Sequence, residues 1–245
     1  MTRKQYFSSG LKDGMPICFG YFAVSFAFGI QAAGIGLSVF EASVLSALNV
    51  TSAGQFAALA IIASGASLIE LAFTQLIINL RYFLMSCALS QKLSPSLPLG
   101  HRFGIAYGMT DEIFAVSVSQ REPLSPFYSY GLIAVAIPGW VLGTALGAAA
   151  GNILPAVLTN ALGIAIYGMF IAIILPPAKE NRVVAGVVVL SMVLSALFTY
   201  LPVLCNISSG FRIIVITLIT AGGAALLFPI PDEPAEPEKE MPHEG

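Results

Sequence analysis

Apolar residues run through this chain in long blocks, and polar residues collect between them. Eight blocks stand out, at about 15–36, 41–63, 66–90, 103–119, 127–150, 155–176, 183–203 and 210–229. A helix needs roughly 20 largely apolar residues to cross a bilayer, and every block except 103–119 reaches that length. The boundaries carry punctuation. Ser94, Pro95, Ser96 and Pro98 mark one loop, and Arg121, Glu122, Pro123 and Pro126 mark another. Pro176 and Pro177 are expected to end a helix before the polar stretch 179–182. The pattern predicts an all-α, polytopic membrane helix bundle with about seven to eight hydrophobic segments. The 103–119 block is short and holds Asp111 and Glu112. It reads as a re-entrant or broken helix, which is tolerated at membrane depth only inside protein or beside a water-filled cavity.

Composition agrees with the pattern. Hydrophobic residues make up 57% of the chain and charged residues 10%, against about 25% charged in a typical soluble domain. Between Ala42 and Leu80 the only charged side chain is Glu70, and between Pro123 and Pro177 there is none. The net charge of −2 arises from the end of the chain, where residues 232–245 hold six acids and one lysine. Three regions follow: a cytoplasmic N-terminal segment 1–13, a transmembrane domain 14–229, and a disordered, acidic, Pro- and Glu-rich tail 230–245. Lys12 and Asp13 interrupt the run after Arg3 and Lys4, so the first block reads as a retained helix rather than a secretory signal. Cys18, Cys87 and Cys205 are far apart and without CxxC spacing, which argues against a disulfide framework or zinc site. No basic patch with interleaved aromatics points to nucleic acid.

Orientation follows the basic residues. Arg3, Lys4 and Lys12 place the N-terminus in the cytoplasm. If all eight blocks cross, Arg121, Lys179 and Arg182 share that side, whereas Lys92 and Arg102 violate the rule. The conflict disappears if 103–119 enters and leaves on one side and Gly65 marks a break within a helix. A weak internal repeat lays 46–62 on 160–176, with Phe56 on Phe170.

Polar side chains within apolar blocks are costly and therefore informative. In the third block, Gln75, Asn79 and Tyr82 follow one another at helical spacing and share a face. That stripe suits a substrate cavity or hydrogen bonding between helices. Arg81 calls for a carboxylate partner, with Asp111 or Glu112 as candidates. These adjacent acids lie about 100° apart on a helix, so one can pair with Arg81 while the other carries a coupled proton or caps a helix. In the second block, Asn49, Thr51, Ser52, Gly54 and Gln55 favour an unwound stretch, whose free backbone groups suit the carboxylate and ammonium of a zwitterion. Gly139, Gly143, Gly147 and Gly151 recur every fourth residue, giving one nearly bare face for a close helix crossing. There is no P-loop, HExxH or nucleophile elbow. No catalytic residue, metal site or cofactor is therefore expected, and the chain does not read as an enzyme.

Five stretches carry a resemblance: LKDGMPICFGYFAVSFAFG near the start, AGQFAAL at 53–59, NLRYFLMSCALS at 79–90, YGMTDEIFAVS at 107–117 and WVLGTALGAAAG at 140–151. Together they resemble the AzlC family, the large subunits of branched-chain amino acid exporters, over about residues 10–228. The T-D-E-x-F-A element is the most specific of them. This chain has Arg81-Tyr82 where the family commonly has Arg-His, and Ser52-Ala53-Gly54-Gln55 where it commonly has Gly-Ala-x-Gln-Phe. The resemblance implies export of branched-chain amino acids, with methionine as a further substrate. It also implies a small hydrophobic partner subunit of the AzlD type and a multi-pass location in the bacterial cytoplasmic membrane. The alternative is a non-transporting membrane scaffold or channel-like subunit.

Overall fold

The computed structural model describes residues 2–120, 123–151, 153, 157, 171, 174–201, 204 and 206–228. The tail 230–245, most of the 155–176 block with its proposed repeat, Arg121, Glu122 and Cys205 lie outside these residues. All described elements are helices. Five of them are long and apolar enough to cross a membrane, and the chain is a polytopic all-α membrane protein.

The core is a parallel pair, α1 (Arg3–Gly34) and α7 (Pro126–Gly151). α1 begins at Arg3, so the segment 1–13 is helical almost from its start, and Gly10 already packs on α7. Contacts advance in step along both helices. Gly10 faces Tyr128 and Gly131, Gly14 faces Leu132, and Gly139 faces Cys18. Gly143 then meets Phe22, Gly147 meets Phe26, and Gly151 meets Ile30 and Ala33. The four glycines spaced along α7 thus lie against α1 backbone, and α1 answers with Gly10, Gly14 and Gly29. In lipid, where helix association gains little from hydrophobicity, such backbone-to-backbone packing is a main source of attraction. We call the side where α1 and α7 begin the first face, and the side where they end the second face.

The 41–63 block does not cross. It forms α2 (Val39–Leu48) and α3 (Ser52–Ala63), joined by three non-helical residues at 49–51. Ala42 and Leu59 cluster with Phe28 and Ala148 near the second face. Ser46 reaches Thr144, the tip residue Val50 packs near Tyr21 and Trp140, and Phe56 returns to Phe28 at 5.4 Å. The pair therefore enters and leaves from the second face. Gly65, at φ +67°, then turns the chain into α4 (Leu68–Gln91). The reversal lies at 49–51, and Gly65 marks a full turn rather than a break within one helix.

The 103–119 block is a second re-entrant hairpin. Its arms are α5 (Leu99–Tyr107) and α6 (Asp111–Val118), with Gly108 and Thr110 as the caps on either side of the break. His101 bonds Tyr130 (2.7 Å) near the start of α7, the tip residue Thr110 meets Tyr21, and Gln120 bonds Tyr128 (3.0 Å). It enters and leaves from the first face. Lys92, just beyond α4, donates to the carbonyl of Val118 at 2.7 Å. A cation there offsets the negative end of the α6 dipole, and α4 is shown to run from the second face to the first.

Two more spanning helices follow. α8 (Arg182–Tyr200) is capped by Asn181, whose side chain accepts from Val183 N at 2.8 Å. Residues 174–180 are helical, so Pro176 and Pro177 do not end that segment; the break falls at Asn181. α9 (Ser209–Thr217) continues through a π-helical turn into α10 (Gly223–Leu227). Buried Glu70, in the first turn of α4, accepts the Gly210 amide at 2.8 Å. A carboxylate is favourably placed at such a helix N-terminus, and this bond fixes the start of α9 at the second face. Asn181 and Val183 line a groove with Phe228, which puts the start of α8 at the first face.

Candidate functional site

The two re-entrant tips meet at half depth against Tyr21 and Trp140. Between them lies a cavity lined by Tyr21, Val24, Val50, Ser52, Tyr82, Thr110, Asp111, Glu112 and Trp140. Both α3 and α6 begin at this cavity, so two sets of free backbone amides and two positive dipole ends converge on it. Their local sequences explain the breaks. Asn49 and Gly108 close the entering arms, and Thr51 and Thr110 open the returning ones in extended conformation. These residue types favour caps and turns over helix interiors.

The caps then differ. Thr110 Oγ1 accepts the Ile113 amide at 3.3 Å, and Asp111 and Glu112 occupy the first turn of α6. The negative charges complement that helix end. Thr51 instead donates to the Asn49 side chain (2.9 Å), and α3 has neither a side-chain cap nor an acid in its first turn.

The two acids have separate partners. Arg81 Nη1 lies 2.7 Å from Asp111 Oδ2, and its guanidinium also stacks over the Tyr82 ring at 4.9 Å. Glu112 Oε2 instead receives the Tyr21 hydroxyl at 2.6 Å. Tyr21 also lies within hydrogen-bonding reach of Thr110. Asp111 is therefore the partner of Arg81, whereas Glu112, among the described residues, is held by a hydroxyl rather than a cation. The Arg81 and Asp111 side chains remain 42% and 46% exposed at half depth. A charge facing hydrocarbon costs about 2.5–3.5 kcal/mol on insertion scales, so this side of the cavity needs water or another protein surface against it.

A dry network supports the cavity wall. Trp140 Nε1 donates to Gln55 Oε1 (2.8 Å), Gln55 Nε2 donates to Ser46 Oγ (3.0 Å), and Ser46 meets Thr144 (2.7 Å). All four side chains are at most 2% exposed. Gln55 thus holds the indole in place and does not reach the cavity. Asn49, Thr51 and Gly54 also lie outside the lining, in a second cluster with Gln75 and Asn79. Gln75 Nε2 donates to the Gly54 carbonyl at 2.8 Å, and Asn79 Nδ2 donates to Gln75 Oε1 at 3.0 Å. Of the polar residues singled out in the sequence, the cavity gathers Ser52, Tyr82, Asp111 and Glu112, with Arg81 one contact behind.

The family model described as "AzlC protein" matches residues 16–154, a range that encloses both hairpins, all of α4 and α7, and α1 from Pro16 onward. The chain belongs to the AzlC family. It is 35% identical over 189 residues to an uncharacterized membrane protein of Archaeoglobus fulgidus, covering 76% of this chain and 83% of the relative. It is 31% identical over 184 residues to the inner membrane protein YgaZ of Escherichia coli, covering 72% and 75%. No solved structure matches.

Sequence reasoning about this AzlC protein missed Tyr21 and Trp140. A signal was present. Tryptophan and tyrosine in membrane proteins favour the interfaces, yet the single tryptophan and Tyr21 sit mid-block. An aromatic with a polar end in that position needs a buried partner.

Proposed function

We propose that this chain is the large subunit of a secondary transporter that exports branched-chain amino acids, with methionine as a further substrate, across the bacterial cytoplasmic membrane. The observation that supports this best is the convergence of two half-helix N-termini on a polar cavity at half depth, an arrangement that secondary transporters use for charged small substrates. In this reading the uncapped start of α3 receives the substrate carboxylate, and Glu112 faces its ammonium. Val24, Val50, Tyr82 and Trp140 provide apolar contact for the side chain. Such walls discriminate weakly among Leu, Ile and Val, since one methylene is worth only about 1–3 kcal/mol. Arg81 neutralises Asp111 and leaves Glu112 as the acid suited to proton coupling.

A small AzlD-type membrane subunit is the partner we assign. Its place is the side of α4 and α6 that exposes the Arg81–Asp111 pair together with Leu80, Phe83 and Leu84. Orientation follows from the faces. Arg3, Lys4, Lys12, Lys92, Arg102, Lys179 and Arg182 all fall at the first face, while Arg212 falls at the second. The positive-inside rule makes the first face, with the N-terminus, cytoplasmic.

The test is efflux of preloaded radiolabelled amino acids from cells expressing this chain with and without its genomic neighbour. Accelerated efflux of leucine, isoleucine and valine that needs both chains supports the reading. Efflux no faster than in empty-vector cells overturns it.

A further inference from the structure

The contacts that fix the two tips follow one plan. A spanning helix, α1, is followed by a hairpin inserted from the face at which that helix ends. A second spanning helix of opposite direction, α4, is likewise followed by a hairpin inserted from the face at which it ends. The unit α1–α3 and the unit α4–α6 therefore have inverted topology. Their tips also match in sequence. Each returning arm starts after an apolar residue and a threonine, Val50-Thr51 and Met109-Thr110. Each tip is bound by the spanning helix of the other unit. Tyr21 on α1 holds the α6 start through Thr110 and Glu112. Gln75 on α4 holds the α3 start through the Gly54 carbonyl at 2.8 Å and accepts from Asn49 at 3.4 Å. Tyr21 precedes Thr51 by 30 residues and Gln75 precedes Thr110 by 35, so the two latches differ in height by about 8 Å, roughly one and a half helical turns.

We infer that Tyr21 and Gln75 are equivalent latches of an inverted pair, released in alternation, so that the cavity between the tips opens to one face at a time. Both latches are made in this structure, and the cavity holds only about 40 Å³. That is room for a few waters, at about 10–15 Å³ of such space for each, and not for an amino acid. Loading must therefore part the tips. Releasing Tyr21 frees the α5–α6 hairpin, which can withdraw only toward the first face, where it is anchored. Releasing Gln75 frees the α2–α3 hairpin toward the second face. In transporters built from inverted repeats, alternating access is largely the rocking or gating of one repeat against the other around a fixed site.

The inference rests on the transporter reading, but its test needs no substrate, so the two can fail separately. Ser52→Cys in a background without the native cysteines reports on cavity access. Its labelling rate by a membrane-impermeant maleimide is measured from the outside of intact cells and from the exposed cytoplasmic side of inverted vesicles. Tyr21→Phe should raise labelling from the first face relative to the second by about threefold to tenfold, the population change that one lost hydrogen bond sets. Gln75→Met should shift the ratio by a similar factor in the opposite direction. Two merely structural contacts would loosen the protein without opposite sidedness. Shifts of the same sign, or an unchanged ratio in both variants, overturn the inference. Should Gln75→Met fail to give a monodisperse protein, Asn79→Leu weakens the same latch by removing the donor to Gln75 and must give the same sign.

Discussion

Cutting the Arg81–Asp111 ion pair from each side in turn separates its role from that of Glu112. Arg81→Gln leaves Asp111 and Glu112 as neighbouring carboxylates at half depth. Asp111→Asn leaves Arg81, among the described residues, with the Tyr82 ring at 4.9 Å and the Tyr82 hydroxyl at 3.2 Å. An uncompensated charge at the middle of a membrane helix costs about 2.5–3.5 kcal/mol on insertion scales. At 42% and 46% exposure the pair is not sealed in protein, and partly exposed ion pairs are worth less than buried ones. We therefore expect a loss of about 1–2 kcal/mol for each single variant, below that range after the discount for exposure. Arg81→Gln should be the worse, because the stacked ring retains about 0.5–1 kcal/mol for an exposed cation. The double variant carries no stranded charge and should recover about 1 kcal/mol of the summed loss. At roughly 2–4 °C per kcal/mol for a chain of this size, size-exclusion profiles after graded heating in detergent resolve these differences. The same cycle with Glu112→Gln should show little recovery, because Glu112 bonds Tyr21 instead. Plain additivity of Arg81→Gln and Asp111→Asn, or an equal rescue by Glu112→Gln, would refute the reasoning.

Two further outcomes follow from the packing and the faces. Gly147→Ala sets a methyl group against the Phe26 backbone and should lower thermal stability by about 1–3 kcal/mol as an overpacked crossing, whereas Gly186→Ala in α8 meets nothing within 4 Å and should be neutral or stabilising by up to about 1 kcal/mol; equal losses at both would contradict the backbone-contact account. Cysteines placed at Lys92, Arg102 and Lys179 should all be shielded from an impermeant thiol reagent outside intact cells, and ready labelling at Lys92 alone would break the assignment of α5–α6 to the first face.

The apolar blocks were legible because a span and a re-entrant hairpin impose the same demand on side chains: both lie in hydrocarbon or in protein at that depth. For the same reason the blocks alone did not distinguish crossing from turning back. The 23-residue stretch 41–63 is long enough to span, and only its Asn-Val-Thr interruption marks the reversal. The basic residues carried the missing information. Lys92 and Arg102 violate the positive-inside rule when every block crosses. They satisfy it once 103–119 enters and leaves at one face and 41–63 does so at the other. Gly139, Gly143, Gly147 and Gly151 announced a close crossing, but not its partner. That partner was signalled by Gly10 and Gly14, one helical turn apart in a stretch whose charges, Lys12 and Asp13, drew it out of the apolar count.

The site was harder to read because residue type says which groups are polar, not which hydrogen bonds they have already made. Gln55 illustrates this. In sequence it is the most conspicuous polar group of its block, yet both ends of its amide are consumed by Trp140 and Ser46, so it shapes the cavity from behind. Glu112 shows the converse. Next to Asp111 it is an equivalent acid in the sequence, and the two become different groups only because α4 brings Arg81 to one and α1 brings Tyr21 to the other. A helix that starts with two adjacent acids, set between two spanning helices of opposite direction, can show one acid to each. That division is what allows one carboxylate to be held by a fixed cation while its neighbour stays tied to a hydroxyl that can be released.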